Sequence, residues 1–525
     1  MTGRPGPGRQ DPGRQGQGRQ GQGKGKGRQG QGQGRQGGGG QRGPDGGGRG
    51  PNLGGRGPRQ RRPEVREVAG RIVRGVLGGR GAARSLVERA LEGDELRPGD
   101  EALLTELVYG TVRQAATLDR LLEASAPRGL GKVEEALLNH LRVAAYQLVF
   151  SERVHAAVAV DAAVRAAGRW AHVRGFVNGL LRGLSRAVLE RRPEDALPAD
   201  VPRTRLLPGR DGGWVVLGRD LLPAEPEAWL AAAGSLPPGL AREWTARHGP
   251  EGALELARAA NAPPPTALRV NPLRAGGDLV AARAEVLARL EGARAGEGPA
   301  AVVLAGGLGD VGRELLWGGW VTVQDETAQL VAPLLDPQPG ERVVDLCAAP
   351  GGKATHLAEL MRDQGRVEAL DVDEDRLARV SAAARRLRLE SVHTTLVPAL
   401  DPRPPEGAPI DRVLADVPCS NTGVLRRRVE VRWRLDQLDW PPLLALQARL
   451  LDRALELVRP GGAVVYSTCS IDPRENEQQV QSALARHPGV RLEAELATLP
   501  RRGGGDGGYA AKLIKPAGGV TAPTA

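Results

Sequence analysis

Val343-Val344-Asp345-Leu346-Cys347-Ala348-Ala349-Pro350-Gly351-Gly352-Lys353, running on into Ala354-Thr355-His356-Leu357, is the stretch whose reading decides the fold. A short apolar run ends in an acid, a turn of small residues carries two glycines, and a helical pattern follows. That order is strand, Gly-rich turn, helix: the start of a βαβ unit that can hold a ligand at its turn. Strand and helix patterns alternate downstream. Residues 342–346, 366–371, 392–397, 411–416 and 463–467 read as strands, with helices over 353–361, 375–388 and 443–458. Residues 320–525 are therefore expected to form a doubly wound α/β sheet with its ligands at the carboxyl ends of the strands.

Residues able to do chemistry fall at those ends. Asp371 closes the second strand, nineteen residues after Gly352. An acid about 20 residues past the turn accepts hydrogen bonds from ribose hydroxyls, a demand shared by dinucleotides and S-adenosyl-L-methionine. The turn 347–353 matches neither G-x-G-x-x-G nor G-x-x-x-x-G-K-[ST], which favours a smaller adenosyl ligand over a pyrophosphate. Asp416-Val417-Pro418-Cys419-Ser420-Asn421-Thr422-Gly423 ends the fourth strand and Ser467-Thr468-Cys469-Ser470 the fifth. A lone cysteine on an apolar strand is usually an inert core residue. Two at adjacent strand ends, each followed by Ser, are expected to face one crevice. Asp472-Pro473-Arg474-Glu475 reads as a helix start, with Asp as N-cap, Pro at N1 and Glu at N3. A helix N-terminus beside Cys469 would favour its thiolate. An activated Cys, an acid or hydrogen-bond donor and a held methyl donor are what methylation of cytosine at C5 requires. C5 becomes nucleophilic only after a thiolate adds to C6.

Composition sets the wider limits. The 525 residues suffice for several domains, and 40% apolar content can fill a sizeable core. The three cysteines suggest no disulfide framework, the first residues carry no apolar leader, and no apolar run approaches the ~18 residues of a membrane span. A reduced, cytoplasmic setting without membrane is the expectation. The seven histidines show no metal-ligand spacing, so no metal is expected, and a monomer is the default. The net charge of +11 is uneven: residues 1–62 hold 12 Arg and 2 Lys against Asp11 and Asp45, whereas the rest balances to −1. This Arg/Gln/Gly-rich tail, with almost no apolar residues, is expected to be disordered, either as a solubilising segment or as a non-specific RNA-binding arm.

Between 63 and 192 the apolar spacing is helical, as in Val65, Val68, Ile72, Val73 and Val76, and predicts an all-α domain. Residues 193–225, rich in Pro, Arg, Gly and Asp, read as a linker. Residues 226–319 read as a small mixed domain in which Pro263-Pro264-Pro265-Thr266-Ala267-Leu268-Arg269-Val270-Asn271 feeds a strand.

Particular strings carry a resemblance. Leu107-Val108-Tyr109-Gly110-Thr111-Val112-Arg113, Ala145-Tyr146-Gln147-Leu148-Val149-Phe150 and Gly175-Phe176-Val177-Asn178-Gly179-Leu180-Leu181-Arg182 resemble the NusB-type RNA-binding helical domain. The runs 345–353 and 416–423, together with Thr468-Cys469-Ser470 and Glu475-Asn476, resemble the Sun/NOL/NOP RNA cytosine-C5 methyltransferases. The strand 266–271 and Val323-Gln324-Asp325-Glu326-Thr327-Ala328-Gln329 resemble the RsmB/Sun branch acting on 16S rRNA. The implied architecture is multidomain: an all-α NusB-like N-terminal domain, a small intermediate RNA-binding domain, and a Rossmann-like catalytic domain using S-adenosyl-L-methionine. The implied nucleophile is Cys469, with Cys419 assisting adduct breakdown and release. Cys347, Ala348, Ala349, Pro350, Gly351, Gly352, Lys353, Asp371 and Asp416 would line the cofactor pocket. Cys347 is assigned to no step of the chemistry; it fits the turn by size. RNA contacts are expected from Arg113, Arg182, Arg269, Arg426, Arg427, Arg428 and Trp433. Two departures from the family pattern are visible: Leu396-Val397-Pro398-Ala399 stands where a Gly-Asp pair is usual, with Asp401 the nearest acid, and the last strand, Gly508-Tyr509-Ala510-Ala511-Lys512-Leu513-Ile514-Lys515, keeps a Lys-Leu-Ile-Lys end but lacks the family's paired aromatics before it.

Other readings share some of these features. A DNA cytosine methyltransferase would use Cys419 as nucleophile, but the second thiol and the NusB-like strings oppose it. A nicotinamide oxidoreductase would share the fold but lacks its pyrophosphate turn. A non-catalytic RNA-binding protein explains the tail and the helices but not two placed thiols. A cytosine-C5 methyltransferase acting on another RNA also remains open.

Overall fold

A computed structural model describes residues 63–93, 96–151, 154–398 and 403–518. The tail 1–62 and Asp401 lie outside the described residues, and so does the expectation attached to each.

Helices run from Val65–Leu77 to Ala171–Ala187 around a shared apolar core, and Glu135–Phe150 is buried on all sides from Val143 to Phe150. In the first of them Val65, Val68, Ala69, Ile72, Val73 and Val76 are all buried, the spacing that defines one face of a 3.6-residue helix. The next segment corrects the linker reading of 193–225. Val188–Arg192, Trp214–Leu217 and Leu206–Pro208 form a three-stranded antiparallel sheet. Leu206, Leu207, Trp214, Val215, Val216 and Leu217 are buried in the same core as the helices. The prolines and glycines of this segment punctuate a hairpin rather than loosen the chain. Helices Pro226–Ala233 and Pro238–Asn261 also pack into that core through Trp229, Leu230 and Trp244. The remaining part of 226–319 is a distinct small unit. Strands Ala293–Ala295, Ala301–Leu304, Thr266–Val270 and Val321–Val323 form an antiparallel sheet in that order, packed against Leu279–Arg289 and Gly309–Trp317.

The C-terminal part is α/β with a mixed sheet. Its strands are β1 (Arg342–Asp345), β2 (Arg366–Asp371), β3 (Val392–Leu396), β4 (Ile410–Asp416), β5 (Val458–Thr468), β6 (Arg491–Thr498) and β7 (Gly508–Ile514). Spatial order is β3-β2-β1-β4-β5-β7-β6, parallel through β5 and antiparallel at β7 and β6. Helices α1 (Gly352–Leu360), α2 (Glu374–Leu387), α3 (Trp440–Leu457) and α4 (Glu477–Arg486) pack its faces. The order reverses between β1 and β4, so a crevice opens at their carboxyl ends. The turn 347–353, Asp371, Asp416, Cys419 and Cys469 all sit on that edge.

Candidate active site

The Gly-rich turn wraps the end of β1. Gly351 has φ +103°, and a Cβ there would lie 3.0 Å from Val380 Cα on α2, so only glycine brings turn and helix this close. Arg269, from the small antiparallel sheet, reaches under the turn. It donates to Gly352 O and Thr355 Oγ1 and pairs with Glu359 at 2.9 Å. Asp371 accepts from the amides of Ala349 (3.2 Å), Val372 (2.9 Å) and Asp373 (3.2 Å) and meets Arg376 at 3.3 Å. Its carboxylate is thereby held at the crevice, 4% exposed. Beneath the turn, Asp345 is 1% exposed and both its oxygens lack a hydrogen-bond partner. Burial, with Asp416 nearby, pushes its carboxyl up to about 8. Burial and Asp345 also drive the Cys347 thiol well above its ordinary value, so Cys347 stays protonated.

The second half of the crevice holds the other two thiols. Cys419 Sγ and Cys469 Sγ are 3.3 Å apart, half-buried and unbonded covalently. The hydrogen bond from Cys419, assisted against burial by Arg428 and Lys353, lowers the Cys469 thiol. The same hydrogen bond, then burial, raises Cys419 well above its usual range. The two thiols are thus pushed in opposite directions, Cys419 toward keeping its proton and Cys469 toward losing it, while Asn421 Oδ1 lies within 3.2 Å to accept from the Cys469 thiol. Lys353 Nζ bonds Asp416 Oδ2 at 2.7 Å, and Ser467 donates to Asp416 Oδ1 at 2.7 Å. Burial opposes the Lys353 charge, but Asp416 and Cys469 keep its ammonium above its ordinary value. A pocket of about 410 Å³, part of it open to solvent, is lined by Lys353, Asp416, Cys469, Asp325, Thr327 and Tyr509 among others. The loops close on each other at Gly423, where a Cβ would lie 2.3 Å from Gly507 O and 2.9 Å from Cys469 O.

The helix start expected at Asp472 is not there. α4 begins at Glu477, and Asp472–Asn476 form turns in which Asp472 accepts from Arg474. Cys469 is favoured as thiolate by its neighbours' side chains, not by a helix N-terminus. Glu475 is not an N3 residue but a buried acceptor for the Cys419 loop: Ser420 N at 2.8 Å, Ser420 Oγ, and Gln447 Nε2 at 2.8 Å.

Five of the seven expected RNA contacts are engaged within the protein. Arg113 is buried and donates to Arg426 O at 2.8 Å. Arg269 is buried beneath the 347–353 turn. Arg426 is buried against Asp506 and the carbonyls of Arg501 and Gly504. Arg427 spans Asp506 and Asp325. Trp433 donates to Val112 O at 2.9 Å. Each is occupied in holding elements together. Arg182 and Arg428 are exposed. Sequence reading missed Asp325 and Asp506, whose pairing with two arginines is non-local. Among the described residues no group of His, Cys, Asp and Glu is arranged for a metal ion, and no helix is long and apolar enough to cross a membrane.

Comparison with known proteins agrees with this architecture. A family model described as 16S rRNA methyltransferase RsmB/F matches residues 332–514, and one described as the NusB family matches 63–186. The ribosomal RNA small subunit methyltransferase B of Klebsiella pneumoniae (strain ATCC 700721 / MGH 78578) is 35% identical over 430 residues, covering 79% of this chain and 90% of the relative. That of Serratia proteamaculans is 34% identical over 431 residues, covering 79% and 91%. The crystal structure of PH0851 shares the fold with a TM-score of 0.63 at 24% identity, over 86% of this chain and 99% of that one. With its NusB domain followed by an α/β methyltransferase sheet, and with identity sustained over most of both chains, this chain belongs to the ribosomal RNA small subunit methyltransferase B family.

Proposed function

We propose that the protein methylates C5 of a cytosine in 16S rRNA, using S-adenosyl-L-methionine and a covalent Cys469–C6 adduct. The observation that carries the proposal is the pair of thiols 3.3 Å apart, one lowered and one raised, beside the Lys353–Asp416 pair. The turn 347–353 with Asp345 and Asp371 fits the cofactor. A crevice edged by the carboxylates of Asp371 and Asp416 suits a ligand carrying sulfonium and ammonium charges and disfavours a pyrophosphate. When bound, that ligand supplies an electrophilic methyl group.

Cys469 adds as thiolate to C6, forming a C–S bond and placing electron density on C5. Lys353 and Asp416 meet the polar edge of the base, where an ammonium and a carboxylate stabilise the charge that develops. After C5 is methylated its proton leaves to a base, the C6–S bond breaks and the thiolate returns. Cys419, holding its proton beside the nucleophile, assists this breakdown. The base must be unpaired or splayed out, because C6 is attacked from its face. Arg182 and Arg428 are the basic residues we retain as RNA contacts. Transfer of labelled methyl groups to naked 16S rRNA, assembling subunits and DNA, followed by mapping of the modified base, tests the proposal. Label on a C5-methylcytosine of the rRNA is expected; label on DNA only, or on another position of the base, would overturn it.

A further inference from the structure

Behind the two thiols lies a polar wall that apolar packing alone does not require. Glu475 and Asn476 are consecutive, 0% and 3% exposed, and their side chains serve different loops. The Glu475 carboxylate accepts from Ser420 N and Ser420 Oγ, and from Gln447 Nε2, which also donates to Pro418 O at 2.9 Å. Both neighbours of Cys419 are therefore tied to one carboxylate. Asn476 accepts from Thr468 Oγ1 at 2.6 Å and donates to Ser470 O at 3.0 Å. Those are the two neighbours of Cys469. Tyr466 Oη donates to Glu475 O at 2.6 Å and fixes the dipeptide to β5. A buried hydrogen-bonded network of this kind holds its loops in place, and its geometry is sensitive to the loss of a member.

We propose that Glu475 and Asn476 are positioning residues that set the separation of Cys419 and Cys469, each gripping one thiol-bearing loop. This rests on the two-cysteine reading above. A thiol–thiolate hydrogen bond is soft, and what it contributes depends on the distance between the sulfurs. The charged and titratable groups that act on Cys469 are Cys419, Asp416, Arg428 and Lys353. Glu475 acts instead on Cys419, so its influence on the nucleophile runs through the Cys419 position.

The test is the pH dependence of iodoacetamide alkylation at Cys469 in the full-length protein, read by peptide mass spectrometry. Cys419→Ala removes the hydrogen bond and is expected to move the midpoint up by about one unit, slowing alkylation at neutral pH roughly tenfold. Glu475→Ala and Asn476→Ala should move it in the same direction. Glu475→Gln, which keeps an acceptor for Ser420 N, should restore most of the wild-type profile. In the Cys419→Ala background Glu475→Ala should add nothing. The proposal is overturned if Glu475→Ala leaves the profile unmoved, or if its shift adds in full to that of Cys419→Ala. Should Glu475→Ala fail to fold, Ser420→Ala decides: a smaller shift that vanishes without Cys419 supports the proposal, and none contradicts it. An unmoved profile in Cys419→Ala itself would sink the thiol coupling and this proposal together. The methyl-transfer assay reports separately on the reaction.

Discussion

Asp345 shows how one side chain reports on the whole crevice. Its carboxyl is pushed up to about 8 by burial, then by Asp416, with Lys353 pulling the other way. The folded protein therefore keeps a proton that the unfolded chain releases near pH ~4. The stability this contributes is fully present below ~4 and is lost as pH rises through about 8. Stability should decline from pH 5 to 8.5, and Asp345→Asn should flatten that decline by on the order of 4 kcal/mol, read from urea unfolding. An unchanged slope would place the buried proton elsewhere. The residues at strand ends, Asp371, Asp416, Cys419 and Cys469, were legible in the sequence because each follows a short apolar run that stops at a polar residue. The arginines were not. Arg426-Arg427-Arg428 reads as a solvated basic run, and only the fold brings Asp506 and Asp325 to meet two of them.

At the level of elements, close approach matters more than propensity. The segment after β4 and the loop before β7 meet at Gly423 with no room for a Cβ. Gly423→Ala must displace the Gly507 carbonyl or the Cys469 loop. Methyl transfer should fall about 10²-fold, the cost of misplacing reacting groups by about an ångström. Affinity for the methyl donor, measured by calorimetry, should stay within about twofold, since the 347–353 turn lies across the crevice. Equal loss of both would argue for general collapse. Strands β1 to β5 and helices α1 to α3 followed from the alternating pattern after the Gly-rich turn, whereas the bounds of α4 and the pairing of β6 with β7 are not foreshadowed. Two local signals misled. Asp-Pro-x-Glu at 472–475 has the letters of a helix start, but Glu475 is drawn inward by Ser420 and Gln447. The Pro/Gly content of 193–225 suggested a linker, but Leu206, Leu207 and Trp214–Leu217 complete a core made by distant helices.

Over the whole molecule, the segment following Cys419 plugs the catalytic sheet into the helical body. Arg432 is 0% exposed and donates to the carbonyls of Arg113, Ser235 and Ala260 and to Asn261 Oδ1. Leu425, Val429 and Ile471 join the apolar core of the helices. The two parts therefore share contacts that lead directly to the Cys419 loop. Charge is distributed on a different plan: +12 in residues 1–62 and −1 in the rest. Removing the tail should weaken RNA binding at low salt and flatten the dependence of log affinity on log salt, because fewer counterions are released. Base selection in the methyl-transfer assay should be unchanged. A salt slope that does not move would separate the tail from RNA.

The central claim is that the two thiols divide the covalent chemistry, with Cys469 forming the adduct and Cys419 ending it. The direct measurement is incubation of Cys419→Ala and Cys469→Ala proteins with 16S rRNA and S-adenosyl-L-methionine, followed by denaturing electrophoresis and peptide mapping. Cys419→Ala should accumulate a protein–RNA species linked through Cys469 to C6 of the methylated cytosine, and Cys469→Ala should form neither adduct nor product. An adduct in Cys469→Ala linked through Cys419, or methyl transfer retained without Cys469, would contradict the account.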